Sequence, residues 1–353
     1  MPLLSRLARR ITARTIGEVE CVASVLLAIL FAHLLGAQNV AWAAYAGFMV
    51  MRGHISETLT RAALRCVGTI TAGLLALFLV PAVQGAWVAN AALLFVIGTA
   101  ALFAALTTRR SYAWLFFGLT YAMIALDHLR HPDQAVGAFV ATRILETLAG
   151  TVAAALVSIA AARTLRRRWP AMHPPAAALA PWRPAARHAT QAGIALVLLV
   201  AMSHFLALPG LSQGAITVMA VMLIPPAAIT AGGLAPVGRR IALRFLGCAL
   251  GGAYAALVLL AADAQPAGLI LGTGLGAAIG RHIESGDPAR AYIGTQFALA
   301  MLIVLVPDRY AGATIAVALQ RLSGIFLGML SLEPVLLAWR IPALLAGRRA
   351  RAG

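Results

Sequence analysis

The sequence predicts an all-α, polytopic membrane protein of about twelve transmembrane helices, laid out as two parallel six-helix repeats. Three observations predict it. Of 353 residues, 61% are hydrophobic and only 11% charged, with a mean hydropathy of +0.89, a balance far from that of a water-solvated domain of this size. Apolar stretches approaching the ~20 residues that a helix needs to cross the hydrocarbon core recur along the whole length. Short arginine clusters punctuate them at every second connection, as the positive-inside rule demands of a chain that weaves through a bilayer.

The first half reads as spans over 18–36, 40–51, 62–80, 87–106, 112–126 and 138–162. The second half repeats the series over 189–208, 214–224, 241–262, 267–280, 292–306 and 314–339. Ala41-Trp42-Ala43 fits a signal-cleavage pattern, but the apolar run over 22–35 matches a later one, so it reads as an uncleaved first span. The connections then sort by charge. One side holds Arg6, Arg9, Arg10 and Arg14; Arg52, Arg61 and Arg65; Arg109 and Arg110; and Arg163, Arg166, Arg167, Arg168, Arg183 and Arg187. The same side holds Arg239, Arg240 and Arg244; Arg281 and Arg290; and Arg340, Arg348, Arg349 and Arg351. The opposite connections hold only Arg130 and Arg309, accompanied by Asp127, Asp133, Asp263 and Asp308. The basic side is therefore expected to be cytoplasmic, with both termini on it.

The repeat shows in the residues. Arg61-Ala-Ala-Leu-Arg65-Cys-Val-Gly68 parallels Arg240-Ile-Ala-Leu-Arg244-Phe-Leu-Gly247, Arg110-Ser-Tyr112 parallels Arg290-Ala-Tyr292, and Arg143 with Gly150 parallels Arg321 with Gly328. Six spans return the chain to its starting side, so the halves are expected to share one orientation, related by an axis along the membrane normal. The expected organisation is a first repeat at 1–162, a basic linker at 163–187 stiffened by Pro170, Pro174, Pro175, Pro181 and Pro184, a second repeat at 188–340 and a basic tail at 341–353.

Several functions are excluded or disfavoured. The net charge of +17 is scattered between apolar segments rather than gathered on one polar face, so nucleic acid is not an expected partner. All 28 basic residues are arginine, so there is no Walker A lysine and no ATP-driven transport by this chain. Cys21, Cys66 and Cys248 lie far apart without ligand spacing, which implies no metal. No HExxH or GxSxG occurs; the chain is not expected to be an enzyme, and no cofactor is implied.

At these residues the sequence resembles the fusaric acid resistance (FUSC) family, which includes aromatic carboxylic acid exporters of Gram-negative bacteria. The resemblance covers nearly the whole chain. It rests on Trp42-Ala-Ala-Tyr45, Arg61-x3-Arg65-x2-Gly68, Arg110-Ser-Tyr112-Ala-Trp114, Arg143-x2-Glu146-x3-Gly150, Arg290-Ala-Tyr292-Ile-Gly294 through Gln296-Phe-Ala-Leu-Ala300, and Gln320-Arg321. It implies an inner-membrane efflux protein for aromatic or other organic acids that sometimes works with a periplasmic adaptor. The large cytosolic domain that longer members carry between their halves has no counterpart here. The rival reading is a non-transporting membrane assembly subunit, and a homo-oligomer fits either.

Charged residues inside spans cost on the order of 2.5–3.5 kcal/mol near the bilayer centre, so each needs a reason. Arg143 and Arg321 each lie about two turns inside the last span of their half, and Glu146 follows Arg143 by one turn. Guanidinium is the bidentate partner of carboxylates, so these residues, with Gln320, are candidates for binding an organic anion, and Glu146 for carrying a proton. The alternative is a structural Arg–Glu pair with snorkelling side chains. The short spans 40–51 and 214–224 occupy matching places, a pattern that points to half-helices aiming their N-termini at an anion near Asn39, Ser212 and Gln213. The alternative is an ordinary tilted or interfacial helix end. Tyr112, Tyr121, Tyr292 and Gln296 are candidates for lining an aromatic pathway, or Tyr112 and Tyr292 for the interfacial belt. Asp127, Asp308, His33 and His204 are proton-coupling candidates, with solvated carboxylates and structural histidines as the alternative. Gly272-Thr-Gly274-Leu-Gly276 reads as helix packing rather than a nucleotide loop.

Overall fold

The computed structural model describes residues 12–171, 178–206, 211–230, 234–263, 265–308, 314 and 316–339. Among the described residues the regular elements are all helices: α1 (Ala13–Leu34), α2 (Val40–Val50), α3 (Ile55–Ala82), α4 (Trp87–Thr107), α5 (Ser111–Arg130), α6 (Val136–Arg163), α7 (Leu165–Arg168), α8 (Trp182–Phe205), α9 (Leu211–Met222), α10 (Pro226–Thr230), α11 (Leu234–Ala262), α12 (Pro266–Glu284), α13 (Ala291–Leu305) and α14 (Ala316–Ala338). Seven are long and apolar enough to cross a bilayer: α1, α3, α4, α6, α8 and the Ala235–Ala262 and Leu319–Ala338 stretches of α11 and α14. The chain is a multi-pass membrane protein. Helices α2, α9 and α13 are apolar but have only 11, 12 and 15 residues. The expected tail at 341–353, Pro174, Pro175, and Arg6, Arg9, Arg10, Arg309, Arg340, Arg348, Arg349 and Arg351 lie outside the described residues.

Helices outrun their apolar cores where nothing in the sequence stops them. The 112–126 run continues through Asp127 to Arg130 and ends only ahead of Pro132, which disfavours helical backbone just before it. Helix α3 starts at Ile55, seven residues before its apolar run, with Glu57 in its first turn, where a carboxylate complements the helix dipole. Pro225 falls between α9 and α10, and Pro226 opens α10, a position that needs no amide proton.

Two compact units form. One comprises residues 1–67, 141–176 and 242–319; in it α1 packs on α2 and α12, α12 on α13, and α13 on α2. Its core joins Val25, Ala32, Ala43, Tyr45 and Phe48 to Ala277, Met301 and Leu305. The other comprises residues 68–140, 177–241 and 320–353; in it α4 packs on α5 and α8, and α9 on α5 and α8. Each unit thus draws helices from both halves of the sequence.

Small residues let helices cross closely where lipid offers no hydrophobic drive for association. In the first unit, a Cβ on Gly150 of α6 would sit 2.3 Å from the Ala43 carbonyl oxygen and 2.4 Å from Ala46 Cβ on α2. In the second, a Cβ on Gly328 of α14 would sit 2.7 Å from both the Gly214 oxygen and Thr217 Cβ on α9. The Gly272–Gly276 stretch packs in the same manner, against Val258 and Tyr254, and the Tyr254 hydroxyl donates to the Gly272 carbonyl at 2.7 Å.

Candidate functional site

The site of the first unit is built around α2. Eleven residues at about 1.5 Å rise reach about 16 Å, half of a ~30 Å hydrocarbon core. Its end groups therefore need partners inside the protein, because lipid supplies none. At the N-terminus the Val40 amide donates to Asp308 Oδ1 at 2.9 Å. At the C-terminus the Arg281 guanidinium donates to the carbonyls of Phe48 at 2.6 Å and Met51 at 3.2 Å, lies 4.7 Å from the Phe48 ring centroid, and pairs with Glu284 at 3.0 Å. Arg52 adds a second donor to the Met51 carbonyl at 2.8 Å. A carboxylate caps the positive end and guanidinium groups the negative end, the arrangement the helix dipole favours.

Beside that N-terminus, α6 contributes Arg143 and Glu146. They pair at 2.6 Å, and both are buried, at 6% and 1% exposure. The Arg143 guanidinium also lies 4.5 Å from the Trp42 ring centroid. The Asn39 backbone and the Asp308 carboxylate are the next groups around Glu146. Trp42 meanwhile lines a cavity of about 450 Å³ with Asn39, Ile303, Val306, Asp308 and Val317. A cation held on the Trp42 ring, a carboxylate competing for that cation, and a cavity that has Trp42 in its lining thus meet at one helix N-terminus. Together they can hold an aromatic ring and exchange one carboxylate for another.

In the second unit, α9 is served at its C-terminal end by His188 Nε2, 2.8 Å from the Met222 carbonyl oxygen, and by Arg240, which donates to the Ala220 carbonyl at 3.1 Å. Arg321 on α14 is buried at 3% exposure, and Gln320 beside it is exposed. Gln213, near the start of α9, has a buried Oε1 without a hydrogen-bond partner, as does the hydroxyl of Tyr121, which is fully buried in α5. Asp127 pairs with His131 at 3.7 Å within α5 and its C-cap. His204 stacks on Trp87 with centroids 4.9 Å apart, and Tyr112 meets Phe116 edge-on.

The predicted residues divide between the units. Asn39, Arg143, Glu146 and Asp308 come together in the first. His33 is exposed near the end of α1, and Tyr292 is half-buried near the start of α13. Gln296, a candidate for lining a pathway, accepts from Arg244 at 2.6 Å in a buried pair. Gln213, Tyr112, Asp127, His204, Gln320 and Arg321 belong to the second. Sequence reasoning passed over Trp42 as a site residue, although it stands in the Trp42-Ala-Ala-Tyr45 motif. It also passed over Glu20, buried at 3% exposure, and the capping role of Arg281. Unlike Trp42, Arg281 leaves no local signal: its partners Phe48 and Met51 are more than 200 residues away in sequence. Among the described residues no group of three or more His, Cys, Asp or Glu side chains is placed to hold a metal ion.

Residues 27–157 match the family of fusaric acid resistance protein-like proteins, the family that the sequence resembles. The matched stretch contains α2, Trp42, Arg143, Glu146 and Gly150. No curated protein and no solved structure matches the chain.

Proposed function

We propose, with the match of residues 27–157 to the fusaric acid resistance-like family as premise, that this membrane protein is a secondary exporter of small organic acids, aromatic carboxylates foremost, in a bacterial inner membrane. The observation that carries the reading is the Arg143–Glu146 pair buried against Trp42, whose ring also walls the 450 Å³ cavity. An aromatic carboxylate presents a flat apolar ring and one anionic fork. Trp42 answers the ring, and Arg143 answers the fork once Glu146 lets go. Protonation of Glu146 frees Arg143 for the substrate anion, and as the anion leaves, Glu146 gives up that proton and re-forms its pair with Arg143. Asp308, held on the Val40 amide at the cavity wall, is the second carboxylate that an incoming anion must displace or pass.

The test is efflux of radiolabelled benzoate from cells lacking other exporters, comparing wild type, Arg143→Ala, Arg321→Ala and empty vector. Wild type is expected to clear benzoate faster than the vector, and Arg143→Ala to lose most of that gain. A wild type no better than the vector defeats the transport reading; two mutants as active as an active wild type defeat the site alone.

A further inference from the structure

A second buried carboxylate–guanidinium fork lies at the opposite end of the first unit, on the side that the arginine distribution assigns to the cytoplasm. Arg166, in the four-residue helix α7, reaches back to α1. Its Nε donates to Glu20 Oε1 at 2.7 Å, its Nη2 to Glu20 Oε2 at 2.6 Å, and its Nη1 to the Ala13 carbonyl at 3.1 Å. The side chains are 9% and 3% exposed. Beside the fork is a hollow of about 160 Å³ lined by Gly53, His54, Ile55, Ser158, Ala162 and Pro170 together with Glu20 and Arg166. Arg163, Arg167 and Arg168, close to Arg166 in the chain, are exposed.

The bidentate fork is the geometry in which guanidinium binds any carboxylate, and here the protein's own Glu20 fills it. Removing a buried carboxylate from its arginine is costly unless another carboxylate takes its place. A soluble organic anion that takes the fork re-pairs the guanidinium, and the displaced Glu20 balances its own charge by taking up a proton or turning to another cation. The exposed arginines near Arg166 in the chain raise the local concentration of anions, and the apolar part of the hollow, made by Ile55, Ala162 and Pro170, receives the remainder of the ligand. We infer that Arg166 is an entry site for monocarboxylates on the cytoplasmic side, occluded by Glu20 until a substrate carboxylate displaces it. The inference rests on the transport reading for its purpose, and its geometry is separate from the Trp42 site. The second half of the sequence carries Gln191 where the first carries Glu20, 171 residues on, the same step that separates His33 from His204, and Gln191 is likewise buried. An amide is therefore a substitution that this position in a first helix accommodates.

The experiment is calorimetric titration of the purified full chain in detergent with benzoate, and with benzamide as its uncharged isostere. Glu20→Gln replaces a charge-assisted competitor by a neutral one, so benzoate binding is expected to tighten about tenfold, with benzamide unaffected. The gain disappears in Glu20→Gln/Arg166→Gln. Unchanged benzoate affinity in Glu20→Gln, an equal gain for benzamide, or a gain that survives loss of Arg166 overturns the proposal. Should Glu20→Gln not fold, Ala162→Phe decides: it fills the hollow, leaves both charges in place, and is expected to raise the benzoate concentration for half-maximal efflux by about tenfold. No change in that concentration overturns the proposal. Efflux by wild type, read in parallel, separates the two failures. Efflux without the affinity gain removes only the entry site, whereas the gain without efflux removes the transport reading.

Discussion

Arg143 and Glu146 are worth less as a bond than as a mutual obligation. Two ions taken out of water lose several kcal/mol of solvation each, and at 2.6 Å their attraction mainly offsets that loss. Truncating one leaves the other buried and uncompensated. Arg143→Ala is therefore expected to destabilise the protein by about 3–5 kcal/mol, whereas the shape-preserving double change Arg143→Met/Glu146→Gln is expected to cost far less than the single truncation. Thermal unfolding of both variants in detergent checks this; a double variant less stable than Arg143→Ala refutes it. The pair was legible in the sequence because i and i+3 share a helix face. The Trp42 ring beneath it was not, since 101 residues separate Trp42 from Arg143 and nothing local to either records the approach.

At the scale of the element, α2 shows how a helix of half the needed length survives. Its composition marks it as buried on all sides, and its length was plain from the sequence. What holds its ends was not plain, because Asp308 and Arg281 arrive from the far part of the chain. Their roles predict unequal costs. Asp308→Ala removes a single, partly exposed cap and is expected to cost about 0.5–2 kcal/mol. Arg281→Ala strips the donor from the buried Phe48 carbonyl and leaves the Met51 carbonyl and Glu284 to Arg52 alone, and is expected to cost more than Asp308→Ala. Unfolding midpoints in urea or by heating rank the two. Gly150 supplies a second check, on the crossing of α6 over α2. Gly150→Val drives a side chain into the Ala43 carbonyl and is expected to abolish folding. Gly36→Ala, at φ 66° with open space around it, carries only the left-handed backbone penalty of about 1–2 kcal/mol. Similar yields of folded protein from the two glycine variants would contradict the close crossing.

For the whole molecule, apolar periodicity marked a chain of membrane helices, of which seven among the described residues are long and apolar enough to cross a bilayer. The assembly was not readable in the same way. The compact units gather helices from 1–162 and from 188–340, and in the first unit the contacts that join them include Arg281 on the Phe48 carbonyl and Asp308 on the Val40 amide. The orientation of the chain follows from arginine placement alone and gives the last prediction. In a variant with Cys21, Cys66 and Cys248 replaced, single cysteines are placed at the exposed positions Asp133, Arg109 and Asp287. A membrane-impermeant maleimide added to spheroplasts is expected to label Asp133→Cys, and to reach Arg109→Cys and Asp287→Cys only after the membrane is opened. Arg109 precedes α5 and Asp287 precedes α13, the helices that begin with the paired Arg110-Ser-Tyr112 and Arg290-Ala-Tyr292 motifs. Parallel halves put those two cysteines on one side of the membrane, whereas an inverted repeat puts them on opposite sides. Opposite accessibility would therefore overturn the parallel arrangement, and labelling of both from outside would overturn the cytoplasmic assignment of the arginine-rich face.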